Sequence, residues 1–137
     1  MQKEFIPYEQ ALELKELGFD EPCFGFYLDN GLWVPSSSSN WGEDPLYPTN
    51  SDLLSGDVSA PLYQQAFRWF RDKYGLCFWI ERMYTVDSIC YYRYTCEYKK
   101  DPLSKTHEVI LSLKEYDNYE EAELACLQKL IEIVKTK

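Results

Sequence analysis

Apolar residues along this chain recur first at helical spacing, then at alternating spacing, and the changes of period outline its elements. From Pro7 to Gly18, Tyr8, Ala11, Leu14 and Leu17 recur at three-residue steps, with Glu9, Glu13 and Glu16 between them. That spacing predicts a first helix with one apolar face. Pro7 pre-sets φ near its first turn, and Gly18 suits the left-handed stop. Cys23–Leu28 and Leu32–Val34 are short apolar runs around Asp29-Asn30-Gly31, which predicts a hairpin because Asn-Gly tolerates positive φ. From Pro35 to about residue 58 the pattern stops. Four serines (Ser36–Ser39), Asn40, Gly42, Pro45, Pro48 and Asn50 make this a long loop, with Trp41 and Tyr47 expected to pin it.

Helical spacing returns after Ser59-Ala60-Pro61 and closes at Gly75, with Leu62, Ala66, Phe67, Phe70 and Tyr74 on one face. Leu76–Tyr84 and Ile89–Tyr98 read as two long strands joined near residues 85–88. On the second, Cys90, Tyr92, Tyr94, Cys96 and Tyr98 share one face, and Ile89, Tyr91, Arg93, Thr95 and Glu97 the other. A charged turn, Lys99-Lys100-Asp101-Pro102, precedes a third strand at about Thr106–Leu113. Asp117 and Glu120 fit a capping box for a last helix from Tyr119 to about Val134. Leu124, Leu127, Ile131 and Val134, beside Ala122, Cys126, Leu130 and Ile133, give that helix a stripe wide enough to pack on a sheet. The predicted fold is a single α+β domain over 1–137, mainly antiparallel sheet packed by three helices, in the order α-β-β-α-β-β-β-α.

Composition fits that picture. The chain has 137 residues, 45% hydrophobic and 17% aromatic, enough to bury a core. Most of the rings belong in that core, and surplus tyrosines suit an interface. No apolar run of spanning length occurs, and Met1–Pro7 does not read as a signal peptide. The five cysteines, Cys23, Cys77, Cys90, Cys96 and Cys126, are odd in number. They are expected to be reduced, in a cytoplasmic protein.

No motif fixes a reaction. His107 is the single histidine, with no CxxC, HxxxH or HExxH spacing for a metal, and it reads as a strand-surface residue. Glu120, Glu121 and Glu123 complement a helix N-terminus rather than forming an opposed carboxylate pair. Asp29-Asn30-Gly31 and Ser55-Gly56-Asp57 lack the spacing of phosphate or calcium loops. No catalytic, cofactor-binding or metal-ligating residue is therefore assigned. The Tyr92, Tyr94, Tyr98 ladder has the form of a base-stacking platform, with Arg82, Arg93, Lys99, Lys100 and Lys105 nearby. The favoured alternative is a sheet face covered by a helix.

Charge narrows the partners. Residues 1–60 hold eleven acids and two lysines, whereas residues 61–137 hold twelve of each sign, so the net charge of −9 lies wholly in the first stretch. Such a surface repels phosphates and favours basic partners, so direct nucleic-acid binding is not expected.

Three segments carry a resemblance: Phe5–Leu12 with Leu17–Cys23, Ala60–Arg71, and Tyr119–Val134. Together they resemble a group of small uncharacterised proteins encoded by phages and prophages of Bacteroidetes bacteria. The long serine-bearing loop and the tyrosine strands match less well. The resemblance implies a small accessory protein acting inside a bacterial cell, and carries over no site residue.

The resulting expectation is a non-enzymatic cytosolic protein that binds a host macromolecule, a protein in the first instance, through an acidic, aromatic-rich surface. The residues expected there are Glu43, Asp44, Asp52 and Asp57 on or beside the loop, and Tyr92 and Tyr94 on the sheet. The alternatives are a nucleotide-binding or sequestering protein using the tyrosines with Arg82 or Arg93, and an enzyme built around His107 and the cysteines. No membrane or cofactor is implied, and no motif encodes the oligomeric state.

Overall fold

The computed structural model describes residues 2–34, 47–99, 101 and 103–136. The fold is α+β, with three α-helices and two three-stranded antiparallel sheets. The expected order of elements is present, and a short strand at Val58–Ala60 and a 3-10 turn at Gln2–Glu4 are added to it. The strands divide between two sheets, one in each of two compact units, residues 1–66 and 67–137.

In the first unit, α1 (Tyr8–Glu16) follows Pro7 and ends before Gly18, whose φ is +94°. Ala11 and Leu14 are buried on its apolar face, and α1 packs on β3 (Val58–Ala60). β1 (Gly25–Leu28) pairs with β2 (Gly31–Trp33) and with β3. Leu28 opposes Gly31, so the two turn residues are Asp29 and Asn30, both at positive φ. The tight turn sits one residue earlier than Asn-Gly suggested, because Asp and Asn both tolerate the left-handed region. Ser59 and Ala60 belong to β3 rather than to a helix start, and both are buried.

The described part of the long loop is tied to the body. Asn50 donates to the Phe19 carbonyl at 2.7 Å and accepts from the Ser59 N–H at 2.9 Å. Asp20 accepts from the Ser51 N–H and hydroxyl, which hold its carboxyl below the usual range. The Tyr47 ring meets Phe24 edge-on, as expected of a pinning residue. Trp41 and the serine run lie outside the described residues, as do Lys100 and Pro102 of the later charged turn.

α2 (Tyr63–Tyr74) contains the boundary between the units, at Ala66/Phe67. In the second unit, Gly75 at φ +67° ends that helix, and its N–H bonds the Arg71 carbonyl. β4 (Cys77–Tyr84), β5 (Cys90–Tyr98) and β6 (Glu108–Leu111) form the second sheet with β5 central. α3 (Tyr119–Lys135) packs across β5 and β4, with Ala122, Cys126, Leu127, Leu130, Ile131 and Ile133 buried. Its cap is Asn118, not Asp117: the Asn118 side chain accepts from the Glu121 N–H at 2.9 Å. The capping pattern holds one residue further on, because Asn118 is the last extended residue before the helix.

Candidate functional site

In a strand, alternate side chains point to opposite faces, so the central strand β5 decides what each face of the second sheet carries. The even-numbered residues Tyr92, Tyr94 and Cys96 face α3. Tyr92 meets Tyr119 edge-on with ring centroids 6.1 Å apart, and Tyr94 lies 6.2 Å from Tyr116. The sulfurs of Cys96 and Cys126 are in contact. Tyr94 is only 8% exposed, and burial, with the tyrosine and cysteines around it, pushes its hydroxyl up to about 12. The surface expected at Tyr94 is thus corrected, since Tyr94 is core, whereas Tyr92 is half-buried.

The opposite face is open. The register sets Trp79 (β4), Thr95 (β5) and Leu111 (β6) in one row across the sheet, and Cys77, Glu97 and Val109 in the next. Glu81 and Arg93 form a third pair on the same face. Trp79 is 40% exposed, Val109 55% and Leu111 53%. Exposed aromatic and branched side chains here are legible as strand formers, since such residues pack well against cross-strand neighbours.

Charges on this face are held in place. The Trp79 indole N–H donates to Glu81 Oε1 at 2.8 Å, and Arg93 Nε reaches Glu81 Oε2 at 2.9 Å. The indole bond first, and then Arg93, keep the Glu81 carboxyl below its ordinary value. His107 Nδ1 lies 2.8 Å from Glu97 Oε1. In the centre, Thr95 is 1% exposed between Trp79 and Leu111, and its hydroxyl has no hydrogen-bond partner among the described residues. The face therefore combines an apolar stripe, a fixed charged border and one desolvated polar group.

A scan against protein-family models, a search of curated proteins and a search of solved structures each return no match. The site is consequently read from its own geometry.

The other expected residues are scattered. Asp52 is exposed and accepts from the Thr49 N–H and hydroxyl at 3.2 and 2.9 Å, a local turn. Asp57 is half-buried, and its carbonyl accepts from Lys15 Nζ at 2.8 Å. Glu43 and Asp44 lie outside the described residues. Arg82 bonds Cys90 through its Nε at 3.0 Å and lies over the Tyr84 ring, 5.3 Å from its centroid, and Arg93 is engaged with Glu81. His107 is beside Glu97 and away from a metal-type cluster; among the described residues no group of three His, Cys, Asp or Glu side chains is placed to hold a metal ion. No helix of the described residues is long and apolar enough to cross a membrane.

Trp79, Val109 and Leu111 are the site residues that the sequence reading missed. The signal existed in the alternation of β5, which set Thr95 and Glu97 opposite the tyrosines. What was absent was the register, which decides that Trp79 and Leu111 flank Thr95.

Proposed function

We propose that this is a non-enzymatic binding protein whose partner is another protein, docked on the open face of the β4-β5-β6 sheet. One observation carries the reading: Trp79, Val109 and Leu111 stand exposed together on a sheet face, around a buried hydroxyl that has no hydrogen-bond partner among the described residues. Aromatic and aliphatic residues at the centre of a patch, bordered by fixed charges, match the anatomy of protein interfaces. A desolvated, unpartnered hydroxyl costs about 1–3 kcal/mol. A partner that displaces Leu111 slightly and offers a polar group to Thr95 recovers that loss.

The partner's surface should be basic around an apolar centre. The acids of residues 1–66 favour such a protein at long range and disfavour phosphate-rich ligands. A phage-type accessory protein acting on a host protein in the bacterial cytoplasm is consistent with this reading and is part of the proposal. The nucleotide-binding alternative has less support, since Tyr94 is buried and Arg82 and Arg93 are already bonded.

The test uses the full chain, affinity-tagged, and its Leu111→Asp variant, expressed in a bacterial host. The expected result is a protein that co-purifies at fixed stoichiometry with the parent chain and is weakened at least about tenfold by Leu111→Asp, with an unchanged melting temperature. A partner retained equally by a folded Leu111→Asp variant would refute the face as the docking site. The absence of any stoichiometric protein partner would refute the reading itself.

A further inference from the structure

Cys96 on β5 and Cys126 on α3 meet inside the second unit, on the side of the sheet away from the open face. Both are fully buried, and their sulfurs are 3.8 Å apart. A buried thiol usually serves as a small apolar side chain. Two in contact across a helix–strand interface have a further chemical option.

We propose that Cys96 and Cys126 form a latent cross-link, a buried dithiol that a peroxide-class oxidant converts to a disulfide stapling α3 to the central strand. Bonded sulfurs sit about 2.0 Å apart, so closure requires them to approach by roughly 1.8 Å. Small torsional shifts at both side chains, with a slight settling of α3, supply that movement.

The two thiols are not equivalent. The hydrogen bond between the two sulfurs lowers the Cys96 thiol below its ordinary value, burial opposes it, and the nearby Lys129 ammonium helps. The same bond, together with burial, pushes Cys126 up. Either sulfur can open the reaction, and Cys96, with the Lys129 ammonium near it, is taken as the attacking one. Its thiolate attacks one oxygen of hydrogen peroxide; the O–O bond breaks, giving a sulfenic acid and a hydroxide that takes up the Cys96 proton as water. The Cys126 sulfur then attacks the sulfenic sulfur, the S–O bond breaks, and the hydroxyl leaves with the Cys126 proton as a second water. Two thiols are oxidised to one disulfide, and one peroxide is reduced to two waters.

Full burial sets the kinetics. The oxidant reaches the pair during local openings of α3, so the exposed Cys77 reacts first. The cross-link joins residues 30 apart in sequence, and restricting a loop of that size in the unfolded chain raises the melting temperature by about 10 °C.

The experiment treats the reduced full chain with hydrogen peroxide, then unfolds it in an alkylating agent and maps the cysteines by mass spectrometry. Cys77 reports that the oxidant acted. The expected result is a peptide pair linking Cys96 to Cys126, reversed by dithiothreitol, with a raised melting temperature. Cys126→Ser should show neither the link nor the rise. Alkylation of both Cys96 and Cys126 after peroxide exposure prolonged well beyond that which oxidises Cys77, long enough for α3 to open repeatedly, would overturn the proposal. So would a Cys96–Cys126 link that lowers the melting temperature. If Cys126→Ser does not fold, the mapped link and its thermal effect in the parent chain decide alone.

Discussion

The two compact units of this chain differ most in charge, and the structural boundary is also the charge boundary. Residues 61–66 carry no charge, so the divide at Ala66/Phe67 leaves all of the −9 in the first unit and a balanced twelve against twelve in the second. Two lysines cannot neutralise eleven acids, so the first unit keeps a net negative charge. The second unit can pair its charges, as in Glu81–Arg93 and Lys129–Glu132. Under the proposed function, the difference means that the two units would contribute differently to recognition. A net charge acts at a distance and on encounter rate, whereas an ordered face with apolar side chains acts on contact.

The strongest test of this contrast lies in the second unit's core. Leu127 is fully buried on α3, so Leu127→Ala should destabilise the protein by about 2–5 kcal/mol in chemical denaturation. A loss under about 0.5 kcal/mol would mean that α3 does not hold the β4-β5-β6 sheet.

A smaller effect comes from Glu123, beside that core. Burial, and then Glu120, pushes its carboxyl up to about 7. A carboxyl raised in the folded state adds stability that is complete below the unfolded value near pH 4.5 and is lost as pH rises through about 7. Because Glu123 is partly exposed, solvent screening reduces the effect to about 1 kcal/mol. Glu123→Gln should therefore flatten the fall in stability between about pH 4.5 and 7, measured by melting at stepped pH. Identical profiles for the two proteins would show that Glu123 is solvated like a surface acid.

The least effect on folding is expected in the first unit. Changing Glu43, Asp44, Asp52 and Asp57 together to Gln or Asn should slow partner association several-fold and weaken its salt dependence. Stability should move by no more than about 0.5 kcal/mol, since asparagine keeps an acceptor for Thr49 at position 52. Stopped-flow association at two salt concentrations reads this out. Unchanged rates would leave these acids as solubilising charges only, and recognition would rest on the open sheet face alone.

Most elements were legible because each has a local cause. Three-residue apolar steps carried α1, the stripe through Leu127 and Ile131 carried α3, and alternation carried β4 and β5. Boundaries slipped where two neighbours could do the same work: Asp117 or Asn118 as a cap, Asn30-Gly31 or Asp29-Asn30 as a turn. β3 was not legible because Val58–Ala60 is too short for a period and exists through its pairing with β1. The candidate site was half legible. Alternation sorted the residues of β5 into two faces, but no local property of Tyr94 or Thr95 says which face a distant helix will cover.

The sequence by itself determined the helices, the long strands, the α+β class and the acidic first stretch, because periodicity and charge are properties of neighbours along the chain. Tertiary structure alone decided that the strands form two sheets and that the charge boundary coincides with a unit boundary. It also decided that α3 hides the tyrosines and leaves Trp79, Val109 and Leu111 open, and that Cys96 meets Cys126. Those outcomes depend on strand register and on which helix closes over which face. Both are set by contacts between residues far apart in the chain, whose pairing energy no single segment contains.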